Sequence, residues 1–319
     1  MTWLVTGGAG YIGAHVVRAL VADGREVVVI DDLSTGDRSR ADPGATLVEG
    51  TVLDRGLVRE VLRDHAVTGV VHIAAKKQVG ESVADPLLYY RENVEGLVAL
   101  LDGCRAQGVE RFVFSSSAAT YGLPDVDLVT EQTPGVPLSP YGESKLIGEW
   151  LLRDCAVAYG MRSMSLRYFN VAGAATPELA DPGVFNLVPL VFRALTSGER
   201  PKVFGADYPT PDGTCIRDYV HVADIADAHL AAARALDAGA QSATYNIGRG
   251  EGSSVLDVLR VVGEVTGLDT SHDAVARRPG DPARVVAAVD LIRAGLGFSA
   301  RHDLRSMVES AWTGWQRQG

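Results

Sequence analysis

The sequence predicts an α/β fold in which a doubly wound parallel sheet is combined with a smaller, interleaved C-terminal domain. In the first half of the chain, short β-branched runs alternate with amphipathic helical stretches. A glycine-rich turn joins the first of these runs to the first helix. After about Phe169 the alternation gives way to a stretch rich in proline and glycine. Strands separated by helices require right-handed crossovers, which give a parallel sheet covered on both faces.

Each element is predicted from the period of its apolar residues. The strands expected in the first half are 3–6, 26–30, 46–49, 69–73, 111–115 and 163–167. The helices between them are expected over 11–23, 54–65, 87–107 and 142–159. Farther on we expect strands over 217–222 and 243–247, and helices over 186–197, 224–237, 253–266 and 304–315. We assign residues 1–170 and about 217–247 to a first domain, and residues 171–216 and 248–319 to a second.

Composition and charge exclude several classes of protein. Of the 319 residues, 46% are hydrophobic and 22% are charged, so the chain can bury a core and is not disordered. The net charge of −10 argues against binding to nucleic acid or anionic lipid. No apolar run reaches the ~18–20 residues of a membrane helix, and no targeting segment is recognisable at the start. Cys104, Cys155 and Cys215 suit neither a disulfide framework nor a zinc site, so we expect a soluble, cytoplasmic, metal-free protein.

The glycine-rich turn predicts a site for a dinucleotide. Gly7, Gly10 and Gly13 follow the first strand and open the first helix. Glycine at these positions lets the backbone turn tightly and approach a pyrophosphate, to which the helix N-terminus offers free N–H groups. Asp31 and Asp32 end the second strand, where a carboxylate can bind the adenosine ribose. Because an acid there repels a 2′-phosphate, the sequence predicts a Rossmann-type domain that binds NAD rather than NADP.

A tyrosine and a lysine four residues apart predict the reactive part of the site. Tyr141 and Lys145 share one face at the start of a helix. A tyrosine of ordinary pKa, about 10, needs positive charge beside it to act as a base near neutrality, and Lys145 can supply that charge. The preceding strand ends in Ser115, Ser116 and Ser117. The sequence therefore predicts Tyr141 and Lys145 as catalytic residues.

These motifs resemble the extended short-chain dehydrogenase/reductase family and, within it, the UDP-glucose (UDP-galactose) 4-epimerases. The more specific segments are VTGGAGYIG at 5–13, VGES at 79–82, FSSSA at 114–118, LRYFN at 166–170, DYPT at 207–210, DGT at 212–214 and RDYVHV at 217–222. The similarity runs from about residue 2 to 316. It implies an isomerase of carbohydrate metabolism that oxidises sugar C4 with bound NAD, lets the 4-keto sugar turn over, and reduces it on the opposite face.

The resemblance also implies roles for individual residues. Tyr141 would be the base on the sugar 4-hydroxyl, Ser117 would relay its proton, and Lys145 would tune the base and bind the nicotinamide ribose. Besides the glycines and Asp31 and Asp32, the implied cofactor-binding residues are Tyr11, Ile12, Lys77, Asn93 and Tyr168. The implied substrate-binding residues, apart from Ser117 and Tyr141, are Asn170, Asn186, Val203, Phe204, Arg217, Arg278, Asp281 and Val285. A homodimer is expected, with the helices near 87–107 and 142–159 at its interface.

Three positions depart from residues that are frequent in the family, and two of them bear on ligand choice. Thr51 stands where the family usually has an aspartate facing the adenine, so we expect altered NAD affinity rather than loss of binding. Ala288 replaces a frequent aspartate whose role is not evident from the sequence. Val285 falls where some epimerases carry a bulky tyrosine, and a smaller side chain leaves room for an N-acetyl group. Interconversion of UDP-GlcNAc and UDP-GalNAc is therefore a further hypothesis.

The sequence also bears on three alternative functions. Nucleotide-sugar 4,6-dehydratases need an acidic pair just after the strand that ends at Ser117, and Ala118 and Ala119 stand there, which disfavours elimination. A UDP-glucuronate 4-epimerase, or an epimerase of another nucleotide sugar, is a closer alternative. A non-catalytic NAD-binding scaffold is the alternative from a different class; the presence of Ser117, Tyr141 and Lys145 argues against it.

Overall fold

The computed structural model describes residues 1–278 and 280–318. Within them the strands are β1 (Thr2–Thr6), β2 (Glu26–Asp31), β3 (Ala45–Glu49), β4 (Val67–His72), β5 (Arg111–Ser117), β6 (Arg162–Tyr168), β7 (Asn170–Ala172), β8 (Lys202–Phe204), β9 (Ile216–His221), β10 (Ala243–Ile247), β11 (Gly252–Ser254), β12 (Asp273–Val275) and β13 (Arg284–Val285). The helices are α1 (Tyr11–Ala22), α2 (Arg55–Asp64), α3 (Val79–Ala84), α4 (Pro86–Tyr89), α5 (Gly96–Gln107), α6 (Pro140–Tyr159), α7 (Leu187–Thr196), α8 (Val222–Asp237), α9 (Val255–Thr266), α10 (Asp290–Leu296) and α11 (Leu304–Gln318).

The central sheet has seven parallel strands in the order β10-β6-β5-β4-β1-β2-β3. The chain crosses from β1 toward β3 and then returns past β1 to β10, so helices cover both faces. One core packs α1 and α8 against the sheet, and a second packs α2, α5 and α6 against the opposite face. This arrangement confirms the predicted doubly wound α/β fold. Ligands of such sheets bind at the carboxyl ends of the strands where the order reverses, which places the site after β1, β4 and β5.

The C-terminal part forms a smaller layer around β9. β9 pairs with β11, β13 and β7, and β8 pairs with β12. Helices α7, α9 and α11 enclose a separate core against these strands. Within the segment 217–247 assigned to the first domain, β10 is a strand of the central sheet and α8 packs against that sheet, but β9 belongs to the smaller sheet. The division of the chain into two domains stays a prediction.

Most predicted helix boundaries differ from the observed ones by one to three residues, and three of the differences have local explanations. Helix α6 begins at Pro140 rather than 142, because Ser139 caps it by accepting from the N–H of Gly142 and proline suits the first turn. The single helix expected over 87–107 is divided into α4, a π-helical segment at Tyr90–Glu95, and α5. Helix α9 begins at Val255, since the two residues before it extend β11. Among the described residues, no helix combines the length and the apolar character needed to cross a membrane.

Candidate active site

The glycine turn between β1 and α1 is too tight for side chains. Gly7 has a φ of +72°, and a Cβ added there would lie 2.8 Å from the backbone nitrogen of Ala74. A Cβ on Gly13 would lie 1.9 Å from the carbonyl oxygen of Gly7. Gly10 is the N-cap of α1 and has an extended backbone. The start of α1 is therefore open to a group, such as a pyrophosphate, that approaches its N–H groups closely.

Two neighbouring acids at the end of β2 have different environments. Asp31 is buried, and its carboxylate oxygens accept hydrogen bonds of 2.9 Å from the N–H groups of Ala9 and Leu33. Burial raises the pKa of Asp31, and these two N–H groups oppose the increase. Asp32 is exposed and accepts from the N–H and the hydroxyl of Ser34. Asp31 thus ties the glycine turn to β2, and both carboxylates keep lone pairs for a ribose hydroxyl.

The side chains of Tyr11 and Ile12 are used within the fold. The Tyr11 hydroxyl donates to the carbonyl of Gly173 at 2.5 Å, and the ring is buried. Ile12 packs against the core beneath α1. Their N–H groups, in contrast, lie in the first turn of α1, where the helix has no preceding carbonyl to bond them. Any contact of these residues with a pyrophosphate would be made by the backbone.

Lys145 is a buried lysine held against the end of β5. Its Nζ donates to the carbonyl of Ser115 at 2.8 Å and lies 5.1 Å from the centre of the Phe114 ring. The residue is only 4% exposed. Burial lowers the pKa of Lys145 to about 8. The ammonium is therefore still mostly protonated at neutral pH but loses its charge under mildly alkaline conditions.

Tyr141 and Ser117 meet beside this lysine. Ser117 ends β5, and its hydroxyl oxygen accepts from the N–H of Ala119 at 3.1 Å. Burial raises the pKa of Tyr141, and the nearby Ser117 hydroxyl opposes the increase. The ring of Tyr89 stands edge-on to Tyr141, with the ring centres 6.4 Å apart. The structure thus brings the three predicted catalytic residues together at the end of β5.

Asn93 links the loop after β4 to the catalytic helix. Its Oδ1 accepts from the N–H of Lys76 at 2.8 Å, while its Nδ2 donates to the Lys76 carbonyl and to the Ser144 hydroxyl, each at 3.0 Å. It lies in the π-helical segment, and such segments are frequent at functional sites. Lys77 follows with an exposed side chain. Tyr168 is half-buried at the end of β6, and burial raises its pKa.

Arg217 and Asp281 form an ion pair on the side of the smaller sheet. The guanidinium also donates to the carbonyl of Ile216 at 2.7 Å. Their side chains are 12% and 25% exposed, respectively. Val285 pairs with Arg217 in the register of β13 on β9. Three of the predicted substrate-binding residues are therefore neighbours.

Arg278 joins this group through an aromatic ring. Its guanidinium carbon lies 4.0 Å from the centre of the Phe204 ring, and Val203 beside it is buried. Burial raises the pKa of Cys215, while the charges of Arg217 and Arg278 lower it. Arg217 and Arg278 both act on the pKa of Cys215, and Arg278 stacks on Phe204. Two guanidinium groups and an aromatic ring suit a nucleoside diphosphate.

The two predicted asparagines are less closely connected. Asn170 is exposed on β7 and pairs with Tyr219 on β9, so it belongs to the sheet that carries Arg217. Asn186 is the N-cap of α7, and its Nδ2 donates to Asp181 at 2.9 Å. In the described part of the chain, no hydrogen bond joins Asn186 to Arg217, Arg278 or Asp281. Its role as a substrate ligand stays a prediction, as do the roles of the other site residues.

The residues that vary from the family pattern make local contacts. The Thr51 hydroxyl accepts from the N–H of Leu53 at 3.3 Å, and the N–H of Ala288 donates to the carbonyl of Val129 at 2.8 Å. Ala118 and Ala119 begin a 3₁₀ turn directly after Ser117, so no carboxylate is placed there for an elimination.

Within residues 1–278 and 280–318, no group of three or more His, Cys, Asp or Glu side chains could hold a metal ion.

Sequence analysis did not single out a buried ionic group next to the catalytic residues. The Glu149 carboxylate accepts hydrogen bonds from the Ser116 hydroxyl and from the Arg167 guanidinium, next to Ser117 in the chain. One signal was available, because Glu149 follows Lys145 by four residues on the same helix. The partner Arg167 could not be inferred, since its proximity depends on the pairing of β5 with β6.

The glycine turn and the Ser117–Tyr141–Lys145 group, at the carboxyl edge of a Rossmann-like sheet, define a site of the short-chain dehydrogenase/reductase type. A model of the NAD dependent epimerase/dehydratase family matches residues 3–248. The chain belongs to this family. The predicted family and its dependence on NAD are confirmed.

Comparison with individual relatives shows which members of this family the chain resembles. The chain is 47% identical to a UDP-glucose 4-epimerase of Azospirillum brasilense, over 98% of this chain and 91% of the relative. It is 45% identical to the UDP-glucose 4-epimerase of Corynebacterium glutamicum, over 98% and 95%. Among solved structures, UDP-glucose 4-epimerase from Brucella ovis in complex with NAD superposes with a TM-score of 0.95 at 41% identity, over 98% of each chain. The UDP-Glc/GlcNAc 4-epimerase of Campylobacter jejuni gives 0.89 at 36% identity, over 100% of this chain and 99% of that one.

Proposed function

We propose that the chain is an NAD-dependent UDP-glucose 4-epimerase, which interconverts UDP-glucose and UDP-galactose. The observation that carries this proposal is the contact of Ser117 with Tyr141 beside the buried Lys145, at the carboxyl edge of the sheet and next to the glycine turn. The full-length similarity to UDP-glucose 4-epimerases supports the choice of reaction.

The residues around the glycine turn fit NAD. The space that a Cβ on Gly7 or Gly13 would fill, together with the N–H groups of α1, suits the pyrophosphate. Asp31 and Asp32 would hold the adenosine ribose, Lys145 the nicotinamide ribose, and Lys77, Asn93 and Tyr168 would complete the site. The chemistry that NAD supplies when bound is to take a hydride from sugar C4 and to return it to the opposite face after the sugar has turned.

Tyr141 is the group that moves the proton. It takes the proton of the sugar 4-hydroxyl, directly or through Ser117, and gives it back when the carbonyl is reduced. Burial works against ionisation of the phenol by raising its pKa, so positive charge beside it is required. Lys145 supplies that charge at neutral pH, because its pKa of about 8 keeps it mostly protonated.

The group around Arg217 would bind the UDP moiety. Arg217 and Arg278 offer planar guanidinium groups to the diphosphate, and Phe204 offers a flat surface to the uracil ring. Asp281 would accept from the uridine ribose, with Asn170 and Asn186 as further ligands. Because Arg217 and Asp281 pair with each other, a bound UDP-sugar has to share or replace that ion pair.

Substrates with an N-acetyl group form a second part of the proposal. Val285 is short and half-buried next to Arg217, so it leaves room at the sugar C2 group. A UDP-Glc/GlcNAc 4-epimerase is among the structures that superpose closely. We therefore include interconversion of UDP-GlcNAc and UDP-GalNAc. UDP-glucuronate remains the alternative substrate.

We also propose a homodimer through α4, α5 and α6. Leu87 on α4 and Trp150 and Val157 on α6 are 76%, 48% and 85% exposed, respectively. Large exposed apolar side chains on neighbouring helices are typical of an association surface. The cytoplasmic location expected from the sequence stays a prediction.

The proposal is tested by proton NMR of the purified protein with UDP-glucose and no added cofactor. We expect the anomeric signal of UDP-galactose to appear, and Tyr141→Phe to slow its appearance by a factor of about 10²–10⁴. Tyr159→Phe, at the exposed end of the same helix, is the matched control and should leave the rate unchanged. No product from the wild-type protein, even after NAD is added, would favour the non-catalytic scaffold.

A further inference from the structure

The last three residues of β5 each contact one residue on a single face of α6. The Ser115 carbonyl accepts from Lys145 at 2.8 Å, and the Ser116 hydroxyl donates to Glu149 at 2.5 Å. The Ser117 hydroxyl lies near enough to the Tyr141 phenol to lower its pKa. Tyr141, Lys145 and Glu149 are spaced by four, so they lie one above another along the helix. Of these three contacts, the one between Ser116 and Glu149 has no role in the proposed mechanism.

Glu149 is fixed from the other side by Arg167. The Arg167 Nε donates to one carboxylate oxygen at 2.8 Å and Nη2 donates to the other at 2.5 Å, a bidentate pair. The side chains of Arg167 and Glu149 are 10% and 8% exposed. Arg167 lies directly opposite Ser116 in the register of β6 on β5. The carboxylate is therefore held by two strands at once.

Arg167 is itself anchored farther away. Its Nη1 donates to the Tyr121 hydroxyl at 2.9 Å, and the guanidinium carbon lies 4.8 Å from the centre of the Tyr121 ring. Tyr121 donates in turn to the Oδ1 of Asn246 at 2.6 Å. A buried ion pair adds little net stability compared with apolar packing of the same volume. A chain of directional contacts at this place instead fixes where Glu149, and with it Ser116, can lie.

We propose that Glu149 is a positioning residue for the epimerase reaction, which holds Ser116 so that the next residue, Ser117, meets the Tyr141 phenol. This inference rests on the proposed function. Over the residues that the structure describes, neither a hydrogen bond nor an ion pair joins Glu149 to Tyr141 or Lys145, so its effect passes through Ser116 and the backbone of β5. A displacement of about 1 Å in a reacting group can reduce a rate by about a hundredfold, so such a support affects turnover.

The test is Glu149→Asp, which keeps the charge that balances Arg167 but withdraws the carboxylate by one methylene. We expect kcat for UDP-galactose to fall by a factor of about 10–100, with KM changed by less than about twofold. We also expect the acidic limb of the kcat–pH profile to move to higher pH, since the nearby Ser117 hydroxyl lowers the pKa of Tyr141. Arg167→Lys, which keeps the charge but not the bidentate geometry, should reproduce this pattern and serves if the first variant does not fold.

Glu264→Asp is the matched control. Glu264 pairs with Arg260 on the exposed face of α9 at 2.8 Å, so the same shortening there should change neither kcat nor the pH profile.

A second readout does not depend on turnover of a UDP-sugar. The Tyr141 phenol can be titrated by ultraviolet absorbance as the difference between each protein and its Tyr141→Phe counterpart, in the presence of NAD. Ser117, Tyr89 and Tyr168 influence this phenol, and Lys145 follows it by one turn of α6; Glu149→Asp substitutes none of these four residues. We expect the variant to raise the pH at the midpoint of the phenol titration.

A wild-type midpoint together with a wild-type pH profile of kcat, even with a lower melting temperature, would overturn the inference, because Glu149 would then only stabilise the fold. If the wild-type protein converts no UDP-sugar, the proposed function fails and the phenol titration alone decides this question.

Discussion

Arg217 and Asp281 form an ion pair although they lie 64 positions apart in the chain. Both residues are proposed to bind the UDP moiety. Asp281 therefore supplies the negative charge beside Arg217 that the diphosphate would otherwise supply. Such pairing keeps the arginine oriented and leaves no buried charge uncompensated. Binding of a UDP-sugar then exchanges one set of charge-assisted contacts for another.

The first prediction concerns this pair. Asp281→Asn removes the charge that orients Arg217 and weakens the contact with the uridine ribose. We expect KM for UDP-galactose to rise by a factor of about 10, with a smaller change in kcat, because the lost contact is made equally in the ground and transition states. Asp207→Asn, at an exposed acid paired with Arg277, is the control for loss of one surface carboxylate. A wild-type KM in Asp281→Asn would remove Asp281 from the substrate site.

The second prediction concerns the buried Lys145. Its pKa is lowered from 10.5 to about 8 in the folded protein. Between these values the unfolded chain binds a proton that the folded chain does not, so this group makes the folded state more stable as pH rises. Relative to Lys145→Met, the wild-type protein should gain about 2–3 kcal/mol in the free energy of unfolding between pH 7 and pH 10. Urea unfolding at the two pH values measures the difference, and an unchanged difference would contradict the lowered pKa.

Deprotonation of Lys145 should also lower the rate of turnover. Loss of the Lys145 charge removes the stabilisation of the Tyr141 phenolate, so kcat should decline above pH 8 in the wild-type enzyme. The decline is measured with UDP-galactose under saturating conditions.

A third prediction tests the basis of substrate choice. Val285→Tyr should close the space at the sugar C2 group, so conversion of UDP-GlcNAc falls while conversion of UDP-glucose is retained. Val285→Ala, which keeps the position small, is the matched control and should convert both substrates. Equal loss of both activities in Val285→Tyr, or no change in either, would show that this position does not set the choice.

The fourth prediction concerns the proposed dimer. Val157 is 85% exposed near the end of α6, and a charge there would have to be buried in an interface between copies. Val157→Glu should shift the mass measured by light scattering from dimer to monomer. Val126→Glu, at an exposed valine outside these helices, should leave the mass unchanged. A monomeric wild-type protein would exclude the dimer itself.

The first half of the fold could be predicted because its strands are long and apolar and its helices have a clear period. The glycine turn and the spacing of Tyr141 and Lys145 are local patterns, so the sequence alone located the centre of the site. Strands such as β7, β12 and β13 have two or three residues each, and pairing with distant segments rather than local preference forms them. The same limit applies to Arg167, whose contact with Glu149 depends on the packing of β6 against α6.

Helix 87–107 illustrates a different limit. The spacing of its apolar residues predicts one continuous helix. One extra residue in a single turn changes that spacing too little to be recognised in the sequence. The π-helical segment that interrupts it places Asn93 against Lys76 and Ser144, a long-range arrangement that the local pattern does not encode.

The most direct measurement follows deuterium at sugar C4. The purified protein, with no added cofactor, is incubated in ordinary water with UDP-galactose that carries deuterium at C4, and the product is analysed by NMR and mass spectrometry. If the hydrogen leaves C4 and returns to the same sugar within the closed site, UDP-glucose forms and keeps the deuterium at C4. UDP-glucose that has lost the deuterium to solvent, or no UDP-glucose even after NAD is added, would contradict the proposed oxidation and re-reduction.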